Sequence, residues 1–310
     1  MIIRPAKIED IDAIISVLQA SLGESLLKKS VQIWNFKHID NPFGISTVLV
    51  AEENVQLIGV RAFMQWRWQL GEDVWISYRA VDTATHPNHQ GKGIFKKLTL
   101  QALDEIQRKS DCFVFNTPND QSRPGYLKMG WQEVGKIKAA LIPTFFYALP
   151  FLFSKKNGEN SLTLVQLETL CEIHRRNLAA KNVIFTPKSA QYLRWRYEEN
   201  PLQSYFVQST ADFYVVMYVK KHRFFNELRV VEVLSNDNSN SAIRKIIVNH
   251  AVKNTCWLIT VADKSLFNIR FYGNFGPKLT FKPLTQENLF INKALFISNW
   301  KYSLGDLELF

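Results

Sequence analysis

The sequence predicts an α/β protein of two domains, each built on a mixed, mostly antiparallel sheet flanked by helices. Three observations carry this prediction. Strand-like and helix-like stretches alternate along the 310 residues. A turn with two glycines joins a strand to a helix at residues 85–95, and the segment 192–201 repeats the pattern of 33–42. A chain of this length suggests about two domains of ~100–200 residues each.

Composition favours a soluble, folded protein with real cores, because 46% of the residues are apolar and 13% are aromatic. The net charge of +10 is scattered in short basic clusters, so we expect a solvated surface and no nucleic-acid partner. Cys112, Cys171 and Cys256 are widely spaced, which predicts free, buried thiols in a reducing cytosol. No signal peptide is visible, and the predicted location is cytoplasmic.

In the first half, apolar residues recur at helical spacing after a short strand at residues 1–4, which predicts a helix from residue 11. A second helix over 30–39 should end at Asn41-Pro42, because a residue before proline disfavours helical geometry. The remaining predicted elements are strands at 47–52, 56–67 and 74–84, a helix at 94–108 and a buried strand at 111–116.

The turn between the third of these strands and its helix predicts an anion site. Gly91 and Gly93 allow positive φ and close approach of a ligand to the backbone. The helix that follows offers amides without intrahelical partners and a partial positive charge. A phosphate-bearing cofactor is the expected occupant, although an isolated G-x-G turn is equally typical of an ordinary strand-to-helix connection.

Two short motifs, which follow one another along the chain, resemble motifs of a known family. Thr85, Pro87, Gln90 and Gly93 resemble the pyrophosphate loop Q/R-x-x-G-x-G/A of the GNAT acetyltransferases, with Phe95 in place of its last Gly or Ala. Downstream, the family continues with N-x-x-A-x-x-x-Y-x-x-x-G-F. This chain matches that second motif with Asn119, Ser122, Tyr126, Gly130 and Trp131. The resemblance covers roughly residues 1–140.

The resemblance implies a sheet that splays between the strand before the turn and the strand after its helix, with acetyl-CoA (coenzyme A) as cofactor. The pantetheine arm would lie in the gap. The residues implied to bind the cofactor are Thr83, Ala84, Thr85, Gln90, Gly91, Lys92, Gly93, Ile94, Phe95, Asn119 and Tyr126. For Asn119 the alternative is capping of the next helix.

The resemblance also suggests catalytic residues for acetyl transfer to an amine. Tyr126 is expected to protonate the leaving thiolate. Asp82 is the best local candidate for the base, although a structural ion pair with an arginine such as Arg79 explains it equally well. Other candidates are His86, His89, the terminal carboxylate of Phe310 and a water relay. Aromatic residues could line an acceptor pocket or belong to the core, namely Trp34, Trp66, Trp68 and Trp195.

The second half repeats the order of the first. Residues 139–153 are apolar and without charge, but they are too short and too rich in proline to span a membrane. The polar stretch that follows predicts domains at 1–153 and 162–310 with a linker at 154–161. Further elements are predicted as a helix at 192–201, strands at 204–208, 213–220 and 228–234, a helix at 241–253 and a strand at 256–261.

The second copy is expected to have lost the cofactor site, because no glycine occurs between Gly158 and Gly273 and Asp237 stands in its turn. The chain is thus expected to be an N-acetyltransferase whose second half bounds a cleft for a small-molecule or peptide amine. A homo-oligomer is compatible with this. Two alternatives stay open: an acyl or aminoacyl transferase on the same scaffold, and a non-catalytic CoA-binding or regulatory protein.

Overall fold

The computed structural model describes residues 1–22, 29–148, 162–236 and 239–307. The helices are α1 (Ile11–Leu22), α2 (Val31–His38), α3 (Ile94–Gln107), α4 (Arg123–Lys128), α5 (Phe145–Ala148), α6 (Leu164–Ala179), α7 (Ala190–Leu193), α8 (Asn240–Lys253), α9 (Asn288–Ala294) and α10 (Leu304–Leu307). A π-helical turn, Arg194–Glu198, continues α7.

The strands of the first half are β1 (Ile2–Pro5), β2 (Thr47–Glu53), β3 (Gln56–Leu70), β4 (Asp73–Thr85), β5 (Cys112–Asn116), β6 (Gln132–Lys136) and β7 (Ala139–Pro143). Those of the second half are β8 (Ile184–Phe185), β9 (Phe206–Thr210), β10 (Phe213–Lys221), β11 (Asn226–Ser235), β12 (Cys256–Val261), β13 (Phe271–Gly273) and β14 (Lys278–Pro283).

These strands form two mixed sheets, as the sequence predicted. The first has the order β1-β2-β3-β4-β5-β14-β6, with β8 beside β3, and the second has the order β13-β7-β12-β11-β10-β9. Each sheet contains one parallel pair, β4 with β5 and β11 with β12, among antiparallel neighbours. In each, a helix links the two parallel strands, α3 in the first and α8 in the second. The tandem α/β architecture is therefore confirmed.

The two sheets exchange a strand, which the sequence did not predict. β14, near the end of the chain, lies between β5 and β6 in the first sheet. In return β7 leaves the first half and pairs with β12 and β13 in the second sheet. Because backbone groups in a sheet interior need partners, each sheet depends on a strand from the other half of the chain. A domain division at residues 154–161 remains a proposal, since those residues lie outside the described part.

In the structure, the two repeated segments, residues 33–42 and 192–201, pack against each other through equivalent residues. Phe36 and Trp195 occupy the same position of the two repeated segments, and their rings stack with centroids 5.0 Å apart. The indole Nε1 of Trp195 also donates to the Phe36 carbonyl at 2.8 Å. The repeated segments therefore pack face to face across the boundary between the halves.

Local structure in the two repeats also matches. Ser30 and Ser189, at the same offset, cap the helices α2 and α7 by accepting from the amide three residues later. Asn41 and Asn200 each accept, through the side-chain oxygen, from the amide two residues later, at 3.0 and 2.9 Å. Both segments end in the same Asn-Pro turn, which supports duplication of a whole unit.

The core holds most of the aromatic residues. The four tryptophans weighed above as pocket or core residues are buried, at 6% exposure or less, so the core interpretation is confirmed. All three cysteines are free and buried, as expected. Within the described residues, no helix combines the length and apolar character needed to cross a membrane, and no group of potential metal ligands comes together.

Candidate active site

The glycine turn has the open geometry that the sequence predicted. Gly91 and Gly93 have φ of +77° and +73°, and a Cβ added to either would meet no atom within 4 Å. Gly93 is the N-cap residue of α3. Gln90 braces the turn by donating from its side chain to the Thr85 carbonyl at 3.2 Å. Residues 91–93 are exposed, so the amides at the start of α3 lie open to an anion.

Phe95, the departure from the family pattern, turns away from the glycines. Its half-buried ring meets the Tyr126 ring edge-on at 5.6 Å between centroids. One ring carbon lies 3.3 Å from the point where Gly125 would carry a Cβ. The ring thus packs against α4, and the turn itself is not covered by it. The residues present fit a diphosphate at this turn.

The sheet opens beside the turn. β4 and β5 pair in parallel only from Ile76–Arg79 to Cys112–Phe115. Beyond Arg79, β4 continues to Thr85 along β3, whereas β5 ends at Asn116. The carboxyl ends of parallel strands are common ligand sites in α/β sheets, because backbone groups and loops converge there. Thr83, Ala84 and Thr85 lie on the open stretch of β4, where an extended arm could bond to the main chain.

Tyr126 lies at this opening and is hydrogen-bonded to a buried arginine, Arg61. Its hydroxyl accepts a hydrogen bond of 2.8 Å from Nη1 of Arg61, which also donates to the Thr83 hydroxyl. The Tyr126 side chain is 5% exposed and Arg61 is fully buried. Because a guanidinium only donates, the hydroxyl hydrogen of Tyr126 stays available for another acceptor.

Arg61 is unusual because it is a buried cation in an apolar setting. Its Cζ lies 4.5 Å from the Phe63 ring centroid, 5.7 Å from that of Phe95 and 5.3 Å from that of Tyr126. Within the described part of the chain, its Nε and Nη2 have no hydrogen-bond partner and no carboxylate pairs with it. A buried charge without a counter-ion is costly, so its retention points to a site where negative charge arrives or develops. Arg61 is not part of either sequence motif, although a lone arginine in the apolar run Val60–Phe63 indicates a buried charge.

Asn119 lies in the turn that precedes α4. Its side-chain oxygen accepts from the amide and hydroxyl of Ser122 at 2.9 and 2.8 Å, which fixes the turn before α4. The N-cap residue of α4 is Ser122, so Asn119 holds that residue in place and does not itself cap the helix. The residue is exposed, and its amide nitrogen is the group left to face an arm in the gap. Binding by Asn119 stays a prediction.

Asp82 lies in a buried charge cluster on the same strand. It is the extra residue of a β-bulge in β4 and has a φ of +39°. Its carboxylate accepts from Lys37 Nζ and, at 3.0 Å, from His38 Nε2. Asp82 is thus held in an ion pair, but its partner is Lys37 and not an arginine as the sequence suggested, and its role as the base stays a prediction. Arg79 donates elsewhere, to the main-chain carbonyls of Asp306 and Leu307 in α10.

The neighbouring Lys37 and His38 keep the Asp82 carboxylate ionised. Burial alone would raise the pKa of this carboxyl, but the charge of Lys37 and the hydrogen bonds from Lys37 and His38 hold that pKa well below its usual range. Burial also lowers the pKa of His38, so its imidazole is neutral near pH 7. With Nε2 donating to Asp82, its Nδ1 accepts from the Ser46 hydroxyl at 2.8 Å. Sequence reasoning placed Lys37 and His38 only in the repeat.

The other base candidates lie apart from this cluster. His86 and His89 belong to a short 3-10 turn just before the glycines. The ring of His86 accepts from the Asn88 amide at 3.4 Å, and His89 approaches Glu53 at 3.4 Å. The carboxylate of Phe310 lies outside the described residues.

The equivalent opening in the second sheet has different chemistry. β10 and β11 carry a bulge of the same kind, which aligns Val216 with Arg61 and Glu232 with Thr83. Glu232 is buried and bonded to Lys188 at 2.8 Å and to the Tyr197 hydroxyl at 3.0 Å. A carboxylate at this position would repel a phosphate-bearing ligand. A cavity of about 180 Å³ lies beside it.

Comparison with known proteins identifies a family for the first half of the chain. Residues 2–134 match the family described as an acetyltransferase (GNAT) domain. No curated protein matches the sequence. The first half of the chain therefore carries a GNAT acetyltransferase domain.

Solved structures extend this fold over most of the chain. A GCN5-related N-acetyltransferase from Anabaena variabilis is similar with a TM-score of 0.67 at 13% identity, over 92% of this chain and 73% of that one. A probable N-acyltransferase from Enterococcus faecalis gives 0.66 at 10% identity, over 91% and 72%. Eis1 from Mycobacterium abscessus gives 0.59 at 13% identity, over 96% and 76%. At these identities the likeness shows the fold.

Proposed function

We propose that this protein is an acetyl-CoA-dependent N-acetyltransferase that moves the acetyl group directly to a primary amine of a small molecule or peptide. The observation that carries the proposal is the group of Tyr126, Arg61 and Thr83 at the point where β4 and β5 part, beside an open glycine turn. The GNAT domain over residues 2–134 supports it.

Binding is assigned to the main chain. The amides of residues 91–95 would hold the diphosphate, with Gly91 and Gly93 letting it approach. The open edge of β4 at Thr83–Thr85 and the side-chain amide of Asn119 would hold the arm. Acetyl-CoA supplies an activated thioester when bound.

Tyr126 is assigned as the general acid. As the amine nitrogen bonds to the carbonyl carbon and the carbon–sulfur bond breaks, its free hydroxyl hydrogen passes to the departing sulfur. Arg61 is assigned as a positioning residue, because its donated hydrogen bond orients the hydroxyl and its charge stabilises the tyrosinate left behind. A tyrosine on the protein surface would lack a buried guanidinium to orient its hydroxyl in this way.

Asp82 is assigned to the acceptor side. A carboxylate held ionised by Lys37 and His38 is a weak base, so we assign it to attract and orient the acceptor amine electrostatically. The amine proton then leaves to a water, and the Tyr126 oxygen regains a proton from solvent. We propose further that the second half has lost cofactor binding and bounds the acceptor cleft, since Glu232 stands where Thr83 stands in the first half.

Calorimetry and kinetics test this proposal. We expect acetyl-CoA to bind one site per chain, and absence of binding at high micromolar concentration would remove the enzyme assignment. Tyr126→Phe should lower kcat by about 10²–10⁴-fold, the range of general acid catalysis, with little change in the Kd for CoA. Phe95→Ala is the matched control for packing, because it removes a ring contact of Tyr126 but keeps its hydroxyl. An unchanged kcat in Tyr126→Phe refutes the acid role.

The alternative donors are separated by the same assay. A larger acyl or an aminoacyl donor would give turnover where acetyl-CoA gives none. A non-catalytic CoA-binding protein would bind CoA and show no thiol release with any amine. Cytoplasmic location and self-association remain predictions, which fractionation and light scattering address.

A further inference from the structure

One end of the second sheet carries exposed aromatic side chains that the proposed function does not use. β11 and β12 are parallel and both begin there, whereas β10 and β7 run antiparallel to them and end there. This end is opposite to the one where the parallel strands part. It is formed by the β10–β11 hairpin, the start of β12, the end of α8 and the turn from β7 into α5.

Four aromatic residues at this end are unusually exposed. Phe224 at the hairpin tip is 80% exposed, Trp257 at the start of β12 is 70% exposed, and Phe145 and Phe146 in α5 are 67% and 46% exposed. The Thr144 amide bonds to the Trp257 carbonyl at 2.9 Å, so α5 begins directly beside Trp257. Large aromatic side chains clustered in water mark an interaction surface.

Cations surround these rings. Lys220, Lys221 and Arg223 lie on the hairpin and Lys253 ends α8, all exposed. The Arg223 guanidinium sits 5.1 Å from the Phe224 ring centroid. Among the described residues, no ion pair engages any of the four. The acid of this end, Glu227, is largely buried and bonded to His222 Nε2 at 2.6 Å.

We propose that this end of the second sheet, formed by Phe145, Phe146, Phe224 and Trp257 with their surrounding cations, is a docking surface for an anionic lipid bilayer. Tryptophan and phenylalanine partition into the headgroup region, where a ring can leave water at little polar cost. Exposed lysine and arginine are drawn to the negative surface of such a bilayer. An apolar protein partner would not require four unpaired cations. A single-stranded nucleic acid also binds through cations and stacked aromatic rings, so vesicle binding is the measurement that separates it from a bilayer.

Sedimentation of the full chain with vesicles tests the proposal. We expect binding to phosphatidylcholine vesicles that contain about a quarter phosphatidylglycerol, and weak binding to phosphatidylcholine alone. The double variant Lys221→Glu/Arg223→Glu should weaken binding about tenfold or more. Its matched control is Arg108→Glu/Lys109→Glu, the same charge change at an exposed site on the first half, which should bind like the natural protein.

Fluorescence provides a second readout. Among the described residues with large exposed apolar side chains, Trp257 is the one tryptophan. Its emission should therefore shift to the blue with anionic vesicles, and the shift should vanish in Trp257→Phe. Circular dichroism checks that each variant is folded. Equal binding to both vesicle types, or equal binding by the Lys221→Glu/Arg223→Glu variant and its control, overturns the proposal. So does a dimer in light scattering that Trp257→Ala dissociates while vesicle binding is absent.

Discussion

Replacement of Asp82 by asparagine removes one charge from a buried site while nearly keeping the side-chain shape. The side chains of Asp82 and Lys37 are each 9% exposed, so neither is well solvated. Without the carboxylate, the Lys37 ammonium loses the ion pair with Asp82, while the charges of Lys29 and Arg79 still disfavour it. Breaking a buried ion pair in this way costs about 3–5 kcal/mol. We expect Asp82→Asn to lower the free energy of unfolding by that amount.

Urea unfolding at pH 7 measures the effect, and a second substitution isolates its cause. Lys37→Met fills the same volume with an apolar chain, so Asp82→Asn/Lys37→Met should recover most of the loss. The pKa of Asp82 lies below its unfolded value of ~3.9. The stabilisation is therefore present above that value and is lost as the pH falls through the folded pKa. Between pH 5 and 8, on the order of three pH units, the penalty should stay constant.

The control is an ion pair on the protein surface that is partly exposed to solvent. Glu133 pairs with Lys278 at 2.8 Å, with both side chains about one-third exposed. Glu133→Gln should cost under about 1 kcal/mol. If Asp82→Asn costs no more than this control, or if Lys37→Met restores nothing, the cluster is not the buried pair described here. If the double variant regains stability but transfers acetyl slowly, Asp82 contributes to the reaction and not only to folding.

Three further predictions follow from single features. Gly93→Ala should strain a left-handed position by about 1–2 kcal/mol and weaken CoA binding in calorimetry. The control is Gly71→Ala in the β3–β4 hairpin, where φ is +59° and the space is equally open. This variant should be strained to a similar degree but should bind CoA normally. Burial raises the pKa of Cys112 and Cys171 to about 12, so both should resist alkylation at pH 8 until urea unfolds the chain, and rapid labelling of the native protein refutes this. A fragment ending at residue 148 lacks β14 and should show no cooperative unfolding, and a sharp transition would show that β14 is dispensable.

The parts of the site that the sequence revealed are local in the chain. The glycine turn is contiguous, and Tyr126 follows Asn119 at a fixed spacing. Arg61 reaches Tyr126 across 65 positions, and Lys37 reaches Asp82 across 45. No periodicity encodes such contacts, because they depend on how β3, β4 and α2 pack. The same holds for β14, whose alternation fits either sheet and whose place is decided by tertiary hydrogen bonds.

The second half carries a charge cluster at the position that corresponds to the proposed site of the first half. In the first half, Arg61 and Thr83 face each other across the bulge and leave guanidinium nitrogens free for a ligand. In the second half, the corresponding pair is Val216 and Glu232, and Glu232 is neutralised by Lys188, which also binds Asp306 in α10. The carbonyls of α10 in turn accept from Arg79, at the residue where β4 leaves β5. α10 therefore contacts Lys188 beside Glu232 in the second half and Arg79 at the opening of the first sheet, so one segment links the two positions.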